Sequence, residues 1–280
     1  MASPVPPVDL NQIAARNNMA VEEVERFVAA IRQTMEPFTK RVLVRENGVD
    51  RWYAVERRGI GSLNTKSGKF WQFDFVIDDY WEKYSVIVRA QLNAEFMPVF
   101  QNKDQLVLRT DSGCETGQVF GDLSCECYEQ LHLALKKLNE VGEGMIVHVP
   151  RQDGRGMGLP FKLATMWLQD ELKLDTVEAA SVLAPGGVID VRTYAGAVCV
   201  LKFFDIPTTC KVSLATNNPK KAEVFTENGY TASDFEPMVV APTADTLRHL
   251  LAKQQHLGHI KLVPEQPEQK EAKEGEQPHE

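Results

Sequence analysis

Residues 106–135 read LVLRTDSGCETGQVFGDLSCECYEQLHLAL, and three of the five cysteines of the chain, Cys114, Cys125 and Cys127, fall inside that stretch. An odd total bunched as C-x10-C-x-C is a poor disulfide framework. Clustered cysteines in a reducing compartment point instead to a metal or to catalysis. Thiolates are soft ligands suited to Zn2+, and three protein ligands with one open position is the layout of a catalytic zinc site. A metal held that way lowers the pKa of a bound water towards neutrality. The same spacing would serve a closed structural zinc with Cys199, Cys210 or a histidine as fourth ligand, and spacing does not separate the two.

Working outward, the pattern differs on the two sides of this cluster. Residues 41–110 hold segments rich in aromatic and β-branched residues, so strands are expected at Phe70–Ile77 and Tyr84–Arg89, with turns such as Ser67-Gly68 between strands. Beyond the cluster the pattern is mixed. Helices are expected over Glu129–Val141, Phe161–Leu172, Ala195–Phe204 and Lys220–Asn228, and strands over Gly144–Val149 and Val212–Ala215. Strand–turn–helix alternation predicts an α+β (mixed α/β) fold. At the start, Val21, Val24, Phe27, Val28 and Ile31 predict an amphipathic helix over Ala20–Met35, whereas residues 1–18, rich in Pro and Asn, are expected to be extended or mobile. The charged, Pro-containing end is expected to be a disordered tail, and no internal repeat is present.

The chain has 280 residues and a formal charge of −8, from 31 Lys+Arg against 39 Asp+Glu. That acidic balance argues against a nucleic-acid partner, which calls for a broad basic face. It leaves room for a small anion held by a local cationic cluster. No apolar run of about 18 residues is present, so no membrane span is expected. The N-terminus lacks the basic-then-apolar pattern of a secretory signal, and a soluble cytoplasmic protein is expected.

Two further stretches bear on such an anion. RQDGRGMG at 151–158 follows an expected buried strand, and its glycines allow close backbone approach to a ligand. Arg151 and Arg155 have the fork geometry that suits phosphate. TNNPKK at 216–221 puts Pro219 at an expected helix start, where free N–H groups gather with Lys220 and Lys221. Either stretch alone could be a plain turn or a capped helix. Beside a metal site, together, they point to a triphosphate.

The cysteine stretch resembles the GTP cyclohydrolase II family pattern L-V-R-V-H-S-E-C-L-T-G-D-x-F-x-S-L-R-C-D-C-x-x-Q-L. The three cysteines, Thr116-Gly117, Phe120, Leu123 and Gln130-Leu131 stand in register. Downstream, RQDGRGMGLPFKL is similar to R-Q-E-G-R-G-I-G-L-x-x-K-L, LQDELKLDTVEAA to L-Q-D-x-G-x-D-T-V-E-A-N, and IDVRTY to A-D-x-R-D-Y. ATNNPKK is similar to L-T-N-N-P-K-K and LAKQQHLGHI to T-K-x-x-K-M-G-H-L, while IGSLNTKSGKFWQFDF resembles the family's strand entry. The resemblance places the catalytic domain at 58–262, after an N-terminal extension of residues 1–57 with one helix and before a tail over 263–280.

The resemblance implies the remaining roles. Cys114, Cys125 and Cys127 would hold one Zn2+, whose activated water opens the imidazole ring of GTP at C8 and leads to release of formate. Arg192 would be the nucleophile that expels pyrophosphate and Asp190 the general base. Gln130, Asp153, Gly154, Arg155, Thr216 and Lys221 would bind base and phosphates, with Arg109 and Arg151 as further phosphate contacts and Mg2+ accompanying the triphosphate. A homodimer is implied as well. A dihydroxybutanone phosphate synthase domain, carried by some members, is not expected in 57 residues, where the helix would cover a sheet edge or a subunit contact.

Several positions depart from the family pattern. H-S-E-C is here Asp111-Ser112-Gly113-Cys114, Glu is replaced by Asp153, a tyrosine of the catalytic set by Met166, and a Pro-Gly-Gly turn precedes Asp190. The metal and phosphate groups are retained while the groups around the base are altered. A relative re-aimed at another nucleotide, such as UMP in uracil catabolism, is therefore an alternative, and a non-catalytic zinc- and nucleotide-binding protein a third reading. Cys199 and Cys210 are read as core thiols, Trp71, Trp81 and Trp167 as core or interface, and His256 and His259 as capping or packing residues.

Overall fold

The computed structural model describes residues 8–78 and 83–263. Trp81 and the end of the tail lie outside those residues. The strands run β1 (Phe38–Glu46), β2 (Val49–Thr65), β3 (Gly68–Ile77), β4 (Lys83–Arg89), β5 (Gln91–Leu92), β6 (Pro98–Val99), β7 (Gln105–Ser112), β8 (Gly144–Val149), β9 (Lys211–Leu214) and β10 (Asp234–Phe235). Among the described residues, eight of them form one sheet in the order β1-β2-β3-β4-β8-β7-β9-β10. From β1 to β8 the neighbours are antiparallel, whereas β8, β7, β9 and β10 run parallel. The fold is α+β, as the alternation of strand and helix patterns predicts.

Side-chain alternation on these strands fills two layers. Leu106, Leu108, Met145, Val147 and Val149 face one core with Phe73 and Phe75, and helix α6 (Ala195–Phe203), almost wholly buried, covers it. Val107 and Ile146 face the other way, under Ala134, Leu135 and Leu138 of α3 (Cys127–Val141). Cys199 and Cys210 both belong to the first core, as their apolar surroundings predict. Trp71 packs against that core, but Trp167 is 71% exposed and does not belong to it.

Two expectations change at the N-terminal end. The stretch expected to be extended contains helix α1 (Leu10–Asn17), because the Asp9 side chain accepts from Asn11 N at 2.8 Å and left-handed Asn18 closes the other end. It leads into α2 (Val21–Gln33). The boundary at 57/58 runs through β2: Asn47 and Gly48, both at positive φ, turn β1 into β2, and Val42, Val44 and Val55 enter the main core. The first strands thus belong to the same sheet as the strands that follow.

The remaining helices are α4 (Leu159–Leu172), α5 (Thr176–Leu183), α7 (Glu223–Glu227) and α8 (Leu247–Leu257). The helix expected over Lys220–Asn228 is a 3-10 turn, Pro219–Ala222, followed by α7. No helix among the described residues is long and apolar enough to cross a membrane. Because β7, β8 and β9 are parallel, the loops after all three leave the same edge of the sheet, where open α/β sheets bind ligands.

Candidate active site

The first loop carries the cysteines. Cys114 follows β7 after Gly113, residues Glu115–Val119 form one wide π turn, and Cys127 opens α3. Asp122 staples the loop, accepting from Thr116 Oγ1 at 3.2 Å and from Ser124 N at 3.0 Å. The three sulfurs lie within 4.8 Å of one another, with Cys114 and Cys125 3.8 Å apart. Gly117 is the residue that permits this. A Cβ there would collide with Cys125 Sγ and lie 3.2 Å from Cys114 Sγ.

Lys162, from α4, donates to Cys114 Sγ at 2.8 Å and to Asp153 Oδ1 at 3.1 Å. Hydrogen bonds from Cys125 and Cys127, and then Lys162, hold the Cys114 thiol far below its usual range. The bond to Cys114 pushes Cys125 up to about 11, and the same cause raises Cys127. Three converging soft donors around a cradle that only glycine leaves open fit a zinc ion. The closed alternative through Cys199 or Cys210 finds no support, since both lie in the sheet core.

The second loop, after β8, carries RQDGRG. Gly154 and Arg155 both take positive φ, 57° and 59°, and the Arg155 carbonyl accepts from Val191 N at 2.9 Å. That docking needs Gly156, where a Cβ would lie 3.0 Å from Arg192 N. Arg155 Nη2 donates to the carbonyl and hydroxyl of Thr176 at 3.2 and 3.3 Å, while its Nη1 is buried without a partner. Burial, and then the charge of Arg192, lowers the Arg155 pKa to about 10. Arg192 itself is gripped by Asp190, Nε to Oδ1 at 2.9 Å and Nη2 to Oδ2 at 2.5 Å. Burial works against its charge, but the Asp190 bonds outweigh it and keep Arg192 protonated.

The third loop, after β9, is TNNPKK. Asn218 caps the following turn through Lys220 N at 3.1 Å, and the two lysines part company: Lys220 is exposed and Lys221 buried. Lys221 Nζ donates to Thr110 O at 2.7 Å and lies 4.9 Å from the centre of the Tyr194 ring. Burial, with Arg109 and Arg192 nearby, pushes its pKa well down.

These loops enclose a cavity of about 200 Å³. Of the residues predicted from sequence, the three cysteines, Arg109, Gln130, Asp153, Gly154, Arg155, Arg192, Thr216 and Lys221 line it. Arg151 and Asp190 do not. Arg151 is exposed, and Asp190 reaches the cavity only through Arg192. Lys162, Thr176, Glu126, Lys253 and His259 line it without having been singled out for ligand contact. Thr176 had a usable signal, because Asp175 and Glu178 around it form a capping box that fixes the start of α5. His259, expected to cap or pack, lies on the cavity wall.

The altered D-S-G-C segment has a structural account. Asp111 is paired with His148 in the β7–β8 register, and its Oδ2 lies 2.8 Å from His148 Nδ1. Its Oδ1 takes Nε and Nη2 of Arg109 at 3.1 and 2.9 Å. Arg109 is thus committed to Asp111 rather than free for phosphate. At Gly113 a Cβ would lie 2.8 Å from His148 Nε2, so the missing side chain is what admits the histidine.

Burial works to raise the Asp111 pKa, but Arg109 and His148 outweigh it and hold it well below the usual carboxylate range. Asp111→Asn is expected to destabilise the fold by about 3 kcal/mol, as for other broken buried pairs. Urea unfolding measures it. The folded pKa lies below the unfolded value of about 3.9. The contribution is therefore full above that pH and lost as pH falls, so the gap between variant and parent narrows in acid.

Comparison with known proteins agrees with this geometry. Residues 61–236 match the family model described as GTP cyclohydrolase II. GTP cyclohydrolase-2 of Streptomyces coelicolor is 34% identical over 205 residues, 73% of this chain and 86% of that protein. GTP cyclohydrolase-2 of Picrophilus torridus is 34% identical over 198 residues, 71% of this chain and 95% of that protein. The riboflavin biosynthesis protein RibBA of Cytophaga hutchinsonii is 28% identical over 254 residues, 91% of this chain and 55% of that longer one.

Proposed function

The chain belongs to the GTP cyclohydrolase II family, and from that premise we propose that it opens the guanine imidazole ring of GTP, releasing formate and pyrophosphate. It is a hydrolase acting on C–N bonds of cyclic amidines. The observation that carries the reading is the convergence of three sulfurs and the cations Arg155, Arg192 and Lys221 on one cavity. Cys114, Cys125 and Cys127 would hold a zinc ion, which would supply Lewis acidity and activate a water.

The protein's own residues do the rest. Arg155 offers a buried N–H without a partner, and Lys221 a desolvated ammonium among like charges. A triphosphate, accompanied by Mg2+, would satisfy both. Gln130 and Asp153 bind the base, and Lys162 orients Asp153 against Cys114. Asp190 stands where a carboxylate can take a proton from the Arg192 guanidinium, which a nucleophilic Arg192 requires. A homodimer accords with Phe120 and Leu123, 73% and 74% exposed on the cysteine loop. We place the protein in the cytoplasm, in a riboflavin-type pathway.

The altered wall favours a second reading. Gly113 in place of a carboxylate and Met166 in place of a tyrosine remove polar groups that could read a base. The same machinery would then act on another nucleotide such as UMP. Turnover of GTP, GMP, UTP and UMP by zinc-loaded protein, followed by mass spectrometry, separates the two. The proposal expects kcat/KM for GTP to lead UMP by about 100-fold or more, as polar pockets discriminate. Ring opening of UMP with GTP untouched would replace it by the second reading.

Lys221→Met tests the phosphate role. Methionine fills similar space but removes the donor to Thr110 O, so the free protein is expected to lose about 1 kcal/mol. For a chain of this size that lowers Tm by about 2–4 °C. The KM for GTP should rise about tenfold or more, one charged hydrogen bond being lost. Calorimetry and steady-state kinetics on the same preparation check both signs.

A further inference from the structure

Helix α8 lies beyond residues 61–236, yet one of its side chains ends inside the cysteine loop. Lys253 Nζ donates to both carboxylate oxygens of Glu126, at 3.0 and 3.1 Å. Glu126 stands between Cys125 and Cys127, and its side chain is 7% exposed, against 20% for Lys253. Glu126 Oε1 also accepts from Gln130 Nε2 at 3.4 Å. One carboxylate therefore ties together the close cysteine pair, the first turn of α3 and α8.

The same C-terminal stretch is pinned again at the loop after β9. Asn217 Nδ2 donates to the carbonyls of Ile260 and Lys261 at 3.1 and 3.3 Å, and Asn217 O accepts from Ile260 N at 2.8 Å. Gln254 Oε1 takes Leu262 N at 3.1 Å, folding the chain back on α8. The wall formed by α8 and the residues after it is thus joined to two of the three loops of the site.

We infer that Lys253 is a positioning residue: through Glu126 it holds the cysteine loop in the arrangement that brings the three sulfurs together, which makes α8 part of the catalytic unit. The inference rests on the zinc reading given above. Without Lys253, a buried carboxylate between two metal ligands has no counter-charge and turns out towards water, taking the adjoining Cys125 and Cys127 with it. A cavity-lining lysine could instead touch a substrate phosphate, but both Glu126 oxygens already neutralise this one. Groups that hold metal ligands in place typically govern about 10–100-fold in metal affinity.

The test uses full-length Lys253→Met, Glu126→Gln, their double variant and Lys253→Arg. Three quantities are read: zinc affinity by chelator competition, KM for GTP at saturating zinc, and amide hydrogen exchange over residues 114–131. Lys253→Met and Glu126→Gln should each bind zinc about 10–100-fold more weakly. Exchange over 114–131 should speed up, with the rest of the protein unchanged. The double variant should be no worse than either single one, and Lys253→Arg should recover most of the affinity. Unchanged zinc affinity and exchange in Lys253→Met would overturn the inference, as would a defect confined to a raised KM. If the parent protein takes up no zinc, the zinc reading fails, and hydrogen exchange alone then decides the link. If Lys253→Met does not fold by circular dichroism, Glu126→Gln carries the same expectations.

Discussion

Cys127→Ser is expected to lower GTP turnover by about 10³-fold or more and to leave the protein without tightly held zinc. The sulfurs of Cys114, Cys125 and Cys127 lie within 4.8 Å of one another, and a hydroxyl replaces a soft thiolate poorly. Lewis-acid stabilisation is worth several kcal/mol, and about 1.4 kcal/mol is a factor of ten in rate. Cys199→Ser is the matched control. Cys199 lies on the buried face of α6, packed into the sheet core, so that variant should lose stability while keeping one zinc per chain. Elemental analysis after gel filtration, beside single-turnover kinetics, reads both. Zinc retained in Cys127→Ser but lost from Cys199→Ser would place the metal elsewhere.

Arg192→Ala should cost about 10²–10³-fold in kcat, the usual penalty for removing a preorganised charge from a reacting centre. Its guanidinium is fixed by two bonds to Asp190 and lines the cavity, whereas Asp190 stays outside it. Lysine keeps the charge but cannot reproduce the forked grip on Asp190, so Arg192→Lys should recover little of the loss. Zinc content should be unchanged, since no sulfur contacts Arg192 among the hydrogen bonds described. If Arg192 acts on the α-phosphate, pyrophosphate release should fall at least as far as formate release. Near-parental kcat in Arg192→Lys would reduce its role to simple charge.

Much of this site was legible because its parts are contiguous in sequence. The cysteines sit on one loop, Gly154 and Arg155 on a second, and Thr216 and Lys221 on a third, so local motifs found them. Strand β8 and helix α3 were legible for a similar reason, since their side-chain periodicity is strong. What escaped depends on pairing across the chain. Asp111 read as a lost histidine, because its partner His148 is met only in the parallel register of β7 and β8. Glu126 and Lys253 are 127 residues apart, and neither shows from its own neighbourhood that it holds the other. Helix α1 is masked in the sequence by the Pro and Asn residues around it, and only its Asp9 cap gives a local signal. Arg151 and Arg155 looked equivalent on paper. Both take positive φ, yet Arg151 is exposed while Arg155 lines the cavity, bonded to Thr176 from across the chain.

The central claim is that the cysteine site opens the imidazole ring of GTP, and GTP labelled with ¹³C at C8 tests it most directly. Zinc-loaded protein should convert the label to formate, seen by ¹³C NMR, with one pyrophosphate released for each formate. Cys127→Ser should give neither. Pyrophosphate without labelled formate, or no change in GTP while UMP is consumed, would contradict the account.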